Sequence, residues 1–315
     1  MKKWLKISLI TSGIVAAGVF GYGVYLYQSV KSTADQMYQP RNPVPEAVAS
    51  LNPTGKGGHP RQPANLSGKE PFTLLIMGVD ERSGDRGRSD TLIVAGVNPA
   101  NKSVLLFNIP RDTRTLIAGK GTEDKINHAY AFGGVDMAVA TVEQFLGTPV
   151  DYYVRVNMEG FKQLIDLFGG VQVHNKFAFA SGGYQFDQGL IQMDGAKALA
   201  YARMRYEDPK GDLGRNDRQK QILEQLMDQA LQASSLLRIE SALKEVGANV
   251  RTDISFDDMK KLLTDYRADL KQLKTEEIRG KGTKMGGIYY YLVDEKERSR
   301  IHDLLEKQME PVSGP

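Results

Sequence analysis

The sequence predicts an α/β fold: a three-layer α/β/α sandwich with a mixed central sheet. Three observations point there. From residue 72 onward, strand-like apolar runs alternate with amphipathic helical patterns, the order that builds layered α/β domains. The first runs, FTLLIMGV (72–79), TLIVAGV (91–97) and SVLLFNI (103–109), are apolar at successive positions, as in central strands covered on both faces. The last two are joined by NPANK, a good turn, which makes them a hairpin.

The elements follow in order. Residues 1–6 carry Lys2, Lys3 and Lys6, and residues 7–27 hold 21 positions without a charge. That run is long enough to cross a hydrocarbon core of roughly 30 Å as a helix. Preceding lysines place residues 1–6 in the cytoplasm and the rest outside. Trp4, Tyr22, Tyr25 and Tyr27 sit near the ends as interfacial aromatics do. The alternative is a cleaved signal peptide, but no small-residue cleavage site follows. Residues 28–70 contain six prolines from Pro40 to Pro63, with Gly55, Gly57 and Gly58, and read as an extracellular linker. Residues 71–315 form the folded domain. After the three strands, helices are expected at 134–146, 158–168, 194–204, 215–247 (broken near Ser234 and Ser235) and 256–272, the last capped by Ser255. Further strands are expected at 151–156, 170–175 and 287–293, and a closing helix at 294–309.

Composition excludes several functions. The chain has 41 Lys plus Arg and 38 Asp plus Glu. The three lysines of residues 1–27 account for the difference, so the outer domain is formally neutral. A basic surface for nucleic acid is not supported. Cysteine is absent, which removes disulfides, thiol nucleophiles and Cys-type zinc sites. His128 has no second histidine at ligand spacing and reads as structural. No P-loop, GxGxxG or GxSxG motif occurs, so nucleotide and serine-hydrolase chemistry lack their signatures.

The chemistry-bearing residues are arginines and aspartates. Asp80 and Asp90 flank the polar loop ERSGDRGRSD at the end of the first strand. They suit Mg²⁺ as hard oxygen ligands, or they cap turns and pair with Arg82, Arg86 and Arg88. Arg111 follows the third strand and either faces the same edge or pairs with Asp112. Arg203 and Arg205 end one helical pattern. In the next, the inward stripe Ala230, Leu226, Ile222 extends at the same spacing to Gln219 and Arg215. Buried charges must be neutralised by acids or by a bound anion. Four or five arginines exceed the acids at hand, and the guanidinium fork fits phosphate oxygens. A pyrophosphate with Mg²⁺ satisfies the set.

On these residues the chain resembles the LytR-CpsA-Psr family of bacterial envelope proteins. The matching segments are LLIMGVDER (74–82), GRSDTLIVAGVNPANKSVLLFNIPRDT (87–113), KINHAYAFGG (125–134), residues 151–173 and residues 192–223, behind an N-terminal membrane helix. The layout is most similar to the teichoic acid transferases of Gram-positive rods. The resemblance implies a hydrophobic pocket for a polyprenyl chain. It also implies Mg-dependent transfer of an anionic glycopolymer from an undecaprenyl-pyrophosphate carrier to peptidoglycan, forming a phosphodiester. By motif, Asp80 and Asp90 become the Mg²⁺ ligands. Arg88, Arg111, Arg203, Arg205 and Arg215 become the pyrophosphate clamp with Gln219 beside it, and Arg111, Asp90 and Arg203 the catalytic residues. A pyrophosphatase acting on the lipid carrier and a non-enzymatic carrier-binding regulator are the other readings.

Overall fold

The structure, a computed structural model, describes residues 2–42, 64–81, 84–232, 246–266 and 272–310. Its centre is a six-stranded sheet in the order β11–β6–β1–β2–β3–β12. β1 (Phe72–Val79), β2 (Ser89–Asn98) and β3 (Ser103–Asn108) form an antiparallel meander. β6 (Tyr152–Asn157) runs parallel to β1, and β12 (Gln272–Glu277) parallel to β3. β11 (Val250–Thr252) closes the other edge, antiparallel to β6. The sheet is therefore mixed, with helices on both faces, as the alternation predicted.

Strand periodicity divides the apolar residues between the two faces. Leu75, Met77, Leu92, Val94, Leu105 and Phe107 pack against α2 (His128–Leu146) and α7 (Glu295–Met309). Ile93, Ala95, Val97, Val104 and Leu106 face the opposite side, where Tyr266 and the partly buried Leu223 and Met227 cover them. Each fully buried aliphatic side chain contributes about 1.5–3 kcal/mol, so this two-sided pattern dominates the stability of the sheet. A third apolar cluster joins α3 (Met158–Leu167), α4 (Gly195–Arg203) and α5 (Asp212–Gln232) to the short strands β7 (Val171–Asn175), β8 (Phe179–Ser181), β9 (Tyr184–Phe186) and β10 (Gly189–Met193).

Several boundaries differ from expectation. α2 begins six residues early, at His128, and is kinked where Gly133 and Gly134 leave helical geometry. α6 (Phe256–Lys261) has the predicted Ser255 cap, continues as a π-turn through Tyr266, and gives way to a strand by Gln272. The break near Ser234 and Ser235 lies outside the described residues. The hairpin β13 (Lys281–Met285)–β14 (Ile288–Leu292) was expected only at its last strand, and the hairpin β4 (Arg114–Leu116)–β5 (Glu123–Lys125) was not expected.

The N-terminal helix α1 spans Lys2–Met37. Among the described residues, no helix is long and apolar enough to cross a membrane. Of the expected span, the side chains of residues 7–16 and of Val19 lie outside the described set. The end of α1 docks on the domain: Thr33 and Ala34 are buried, and the Tyr153 hydroxyl donates to the Gln39 carbonyl at 2.7 Å. Arg41 pairs with Asp253 at 2.8 Å and donates to the Asp151 carbonyl at 2.7 Å. Residues 43–63 of the expected linker lie outside the described residues.

Candidate functional site

The site grows from one end of the sheet. In the β1–β2 pairing, Gly78 faces Thr91 and Val79 faces Ser89, so Asp90 is the extra residue of a bulge. Bulges re-aim side chains at sheet ends. Between the strands the loop is tight, with the Asp80 and Asp90 amides both donating to the Arg88 carbonyl at 3.1 Å. Gly87, at φ +70°, makes this possible: a Cβ there would lie 1.9 Å from the Asp80 carbonyl oxygen.

Asp90 aims its carboxylate at Arg111. The Asp90 Oδ1 lies 3.0 Å from Arg111 Nη1 and accepts from Asn127 Nδ2 at 3.3 Å. Asn127 occupies the cap position of α2 without a capping side-chain bond; its amide serves Asp90 instead. Arg111 Nη2 lies 3.6 Å from Asp212 Oδ1, and Arg215 Nη2 lies 2.9 Å from Asp212 Oδ2. Arg215 also donates to the Asp90 carbonyl at 3.4 Å. Asp112, the expected alternative partner of Arg111, is 3.9 Å from Arg111 Nε and instead binds Lys125 at 2.7 Å. Thus Arg111 and Arg215 share two aspartates rather than holding one each.

The electrostatics match a cationic, partly dry site. Arg215 is 4% exposed. Burial pulls its pKa down, and the charges of Arg111 and Arg205 add to that, against Asp212 and Asp90. For Arg111, burial is again the largest influence and acts downward, but Asp90, Asp212 and Asp112 together hold its pKa above the ordinary value. Among the described residues, Arg111 Nε, Arg215 Nε, Asp212 Oδ1, Asn127 Oδ1 and Gln219 Oε1 are buried without a hydrogen-bond partner. Each such atom costs about 1–3 kcal/mol. Four of these atoms, on Arg111, Arg215, Asp212 and Asn127, belong to the group of side chains built around Asp90 and Asp212.

The remaining expected residues stand farther out. Arg203 is exposed, and its Nη1 donates to the Met158 thioether at 3.3 Å. Met158 follows Asn157, which pairs with Val79, so Arg203 is at the same sheet edge. Arg205 stacks on Tyr206, 4.6 Å from its ring centroid, within electrostatic reach of Arg215. Arg88 is exposed. Gln219 donates to the Ala202 carbonyl at 3.4 Å. Among the described residues no group of three or more His, Cys, Asp or Glu gathers to hold a metal. Asp80 and Asp90 remain two hard donors on one loop, the number Mg²⁺ commonly takes beside phosphate oxygens and water. His128 lies 2.8 Å from Asp124, a structural pairing as read.

Sequence reasoning missed four groups. Asp212, the shared acid, precedes the expected helix start. Asn127 carried no motif beyond its neighbourhood. Arg155, bonded to Glu81 at 2.7 Å and to the Tyr130 hydroxyl at 3.0 Å, lies on β6 beside β1. Arg218 is as buried as Arg215, but it is satisfied by the carbonyls of Tyr201 and Met204 and by Asp208. Its spacing of three from Arg215 was the available signal.

A polyisoprenyl-teichoic acid–peptidoglycan teichoic acid transferase TagU of Halalkalibacterium halodurans is 46% identical over 98% of this chain and 99% of its own. The crystal structure of Bacillus subtilis TagU superposes with a TM-score of 0.64 at 45% identity, covering 78% of this chain and 100% of that one. A structure of TagT bound to LIIa-WTA superposes at 0.68 and 28% identity, covering 79% and 97%. A sequence model of the LytR_cpsA_psr family matches residues 24–307.

Proposed function

The chain belongs to the LytR_cpsA_psr family, and on that premise we propose that it transfers an anionic glycopolymer, wall teichoic acid, from an undecaprenyl-pyrophosphate carrier to peptidoglycan. The observation that carries this reading is the sharing of Asp90 and Asp212 by Arg111 and Arg215, with the Nε of each left without a partner among the described residues. A pyrophosphate supplies the acceptors these nitrogens lack and competes with Asp212 for both arginines.

In the reaction an acceptor hydroxyl oxygen bonds to the phosphorus that carries the polymer. The bond from that phosphorus to the bridging oxygen breaks, and polyprenyl phosphate leaves. Such transfers need positioning and charge neutralisation more than covalent help. Arg111 and Arg215 hold the diphosphate and take up the charge that develops on it. Arg88, Arg203 and Arg205, lying outside the buried pair, close over its outer oxygens, and Gln219 contributes a polar contact beside Arg215. Asp90 receives the proton of the acceptor hydroxyl. Mg²⁺, held by Asp80 and Asp90, would add further neutralisation of the phosphates.

The lipid tail needs an apolar slot. α5 turns Ile222 and Leu226 toward the third cluster and Leu223 and Met227 toward the sheet, so the helix that carries Arg215 also separates two apolar layers. We place the polyprenyl chain along it. α1 is then the bilayer anchor, with residues 1–6 cytoplasmic and the catalytic domain outside the cell membrane.

The test is ligation of lipid-linked polymer to peptidoglycan by purified full-length protein. Arg111→Ala and Arg215→Ala are each expected to lose at least about 100-fold in rate while the fold survives. Full activity in both overturns the proposal. Release of free polymer without acceptor would identify a pyrophosphatase, and binding without turnover a carrier-binding regulator.

A further inference from the structure

The β13–β14 hairpin adjoins the arginine cluster. Thr113 and Tyr291 form a parallel bridge, and the Tyr291 amide donates to the Asp112 carbonyl at 2.8 Å. β14 is thereby tied to the chain one residue beyond Arg111. Tyr289 and Tyr291 lie on one face of β14, as alternate strand residues do. Beneath them β13 and its approach carry glycine. A Cβ at Gly282 would come 2.5 Å from the Tyr289 hydroxyl, and one at Gly280 would come 2.6 Å from the Tyr291 ring. Both rings therefore rest on bare backbone, where any side chain would displace them.

The two tyrosines differ in what they do. Tyr291 is buried, and its hydroxyl donates to the Ile278 carbonyl at 3.1 Å. Tyr289 is 42% exposed, and its hydroxyl makes no hydrogen bond to a described residue. Burial, with Asp112 and Asp212 nearby, pushes its pKa up, so the phenol stays protonated as a donor. Ile288 and Met285 extend the exposed apolar surface to the hairpin tip. On the other face of β14, Lys125 stands 5.9 Å from the Tyr290 ring while paired with Asp112. An aromatic ring on a fixed strand, one hydroxyl without a partner among the described residues and an adjoining cationic site suit the apolar C–H face of a pyranose bonded to, or attacking, a phosphate.

Resting on the phosphate-site reading above, we propose that Tyr289 on its Gly282 floor is a sugar platform that seats the pyranose next to the phosphate held by Arg111 and Arg215. The sugar comes either from the donor glycopolymer or from the peptidoglycan acceptor.

The experiment uses the full-length protein in detergent and the variants Tyr289→Ala and Tyr289→Phe. Affinity is measured for farnesyl diphosphate and for its N-acetylglucosamine conjugate, and KM for a soluble peptidoglycan oligomer. Tyr289→Ala is expected to leave farnesyl diphosphate binding within about twofold. It should weaken either the conjugate or the acceptor by about tenfold, with Tyr289→Phe retaining the stacking part of that difference. Loss on the conjugate assigns the donor sugar, and loss on the acceptor KM assigns the peptidoglycan sugar. Unchanged values on both arms, or an equal loss for sugar-free farnesyl diphosphate, overturn the platform. Arg111→Ala run alongside separates the two readings: if it leaves farnesyl diphosphate binding intact, the phosphate site itself is wrong.

Discussion

Arg111 and Arg215 meet on one carboxylate: Asp212 reaches Arg111 through Oδ1 at 3.6 Å and Arg215 through Oδ2 at 2.9 Å. Two guanidinium groups from distant parts of the chain, one after β3 and one on α5, are held together by one acid.

Asp212→Asn removes the charge that keeps the two arginines together. The folded protein should lose about 1–3 kcal/mol. Inorganic pyrophosphate should restore that stability, so its effect on Tm is larger in the variant than in the wild type. Thermal melts with and without pyrophosphate decide it; an equal response in both proteins argues against a shared anion site.

Gly87→Ala places a methyl group against the Asp80 carbonyl in a conformation, φ +70°, that alanine resists. The loop bearing Asp80 and Asp90 must shift, and ligation should fall by tenfold or more on the order of the loss seen when a site is misplaced by an ångström. Gly84→Ala is the control. It shares a positive φ of +80° but no atom of the described residues lies within 4 Å of a Cβ there, so it should destabilise modestly and leave the rate nearly intact.

Glu297 sits in the first turn of α7 and accepts from Arg300 at 2.7 and 2.9 Å and from the Arg279 amide at 2.9 Å. The Arg300 bonds are the main reason its pKa lies below the ordinary 4.5, against burial. A lowered carboxylate pKa stabilises the fold above the unfolded value and loses that contribution as pH falls through the folded one. Glu297→Gln should therefore cost about 1–2 kcal/mol at pH 7. Urea titrations should show the gap to wild type closing below the ordinary carboxylate range, and a gap that stays constant with pH would contradict the assignment.

Arg41→Ala leaves Asp253 buried without its cation. Burial already raises the Asp253 pKa against the pull of Arg41, so the single variant should lose about 2–3 kcal/mol. Pairing it with Asp253→Asn should recover part of that loss, a non-additivity readable in a double-mutant cycle. Strict additivity would mean that the two residues do not hold α1 to the domain.

How much of this was legible in the sequence depends on periodicity. β1, β2 and β3 were readable because both of their faces are apolar. Arg215 was readable because the α5 stripe, projected back through Gln219, could only point inward. β12 was not: QLKTEE is an edge strand exposed at nearly every position, so it carries no alternation of apolar and polar residues to mark it. Asp212 was missed because helix starts are poorly marked when no capping box is present, and the acid falls three residues before the expected start. Arg218 shows the limit of counting charges. It is as buried as Arg215, yet carbonyls and Asp208 satisfy it, and only the three-dimensional fold separates an arginine that pins a turn from one whose Nε finds no partner among the described residues.

The most direct test of the central claim is the affinity of the full-length protein for farnesyl diphosphate, compared with the Arg111→Ala/Arg215→Ala double variant and checked by Tm for an intact fold. Convergence of the two guanidinium groups on a diphosphate predicts a loss of at least about 100-fold, the removal of two charge-assisted contacts. An unchanged Kd in a folded double variant would show that these arginines serve their aspartates alone.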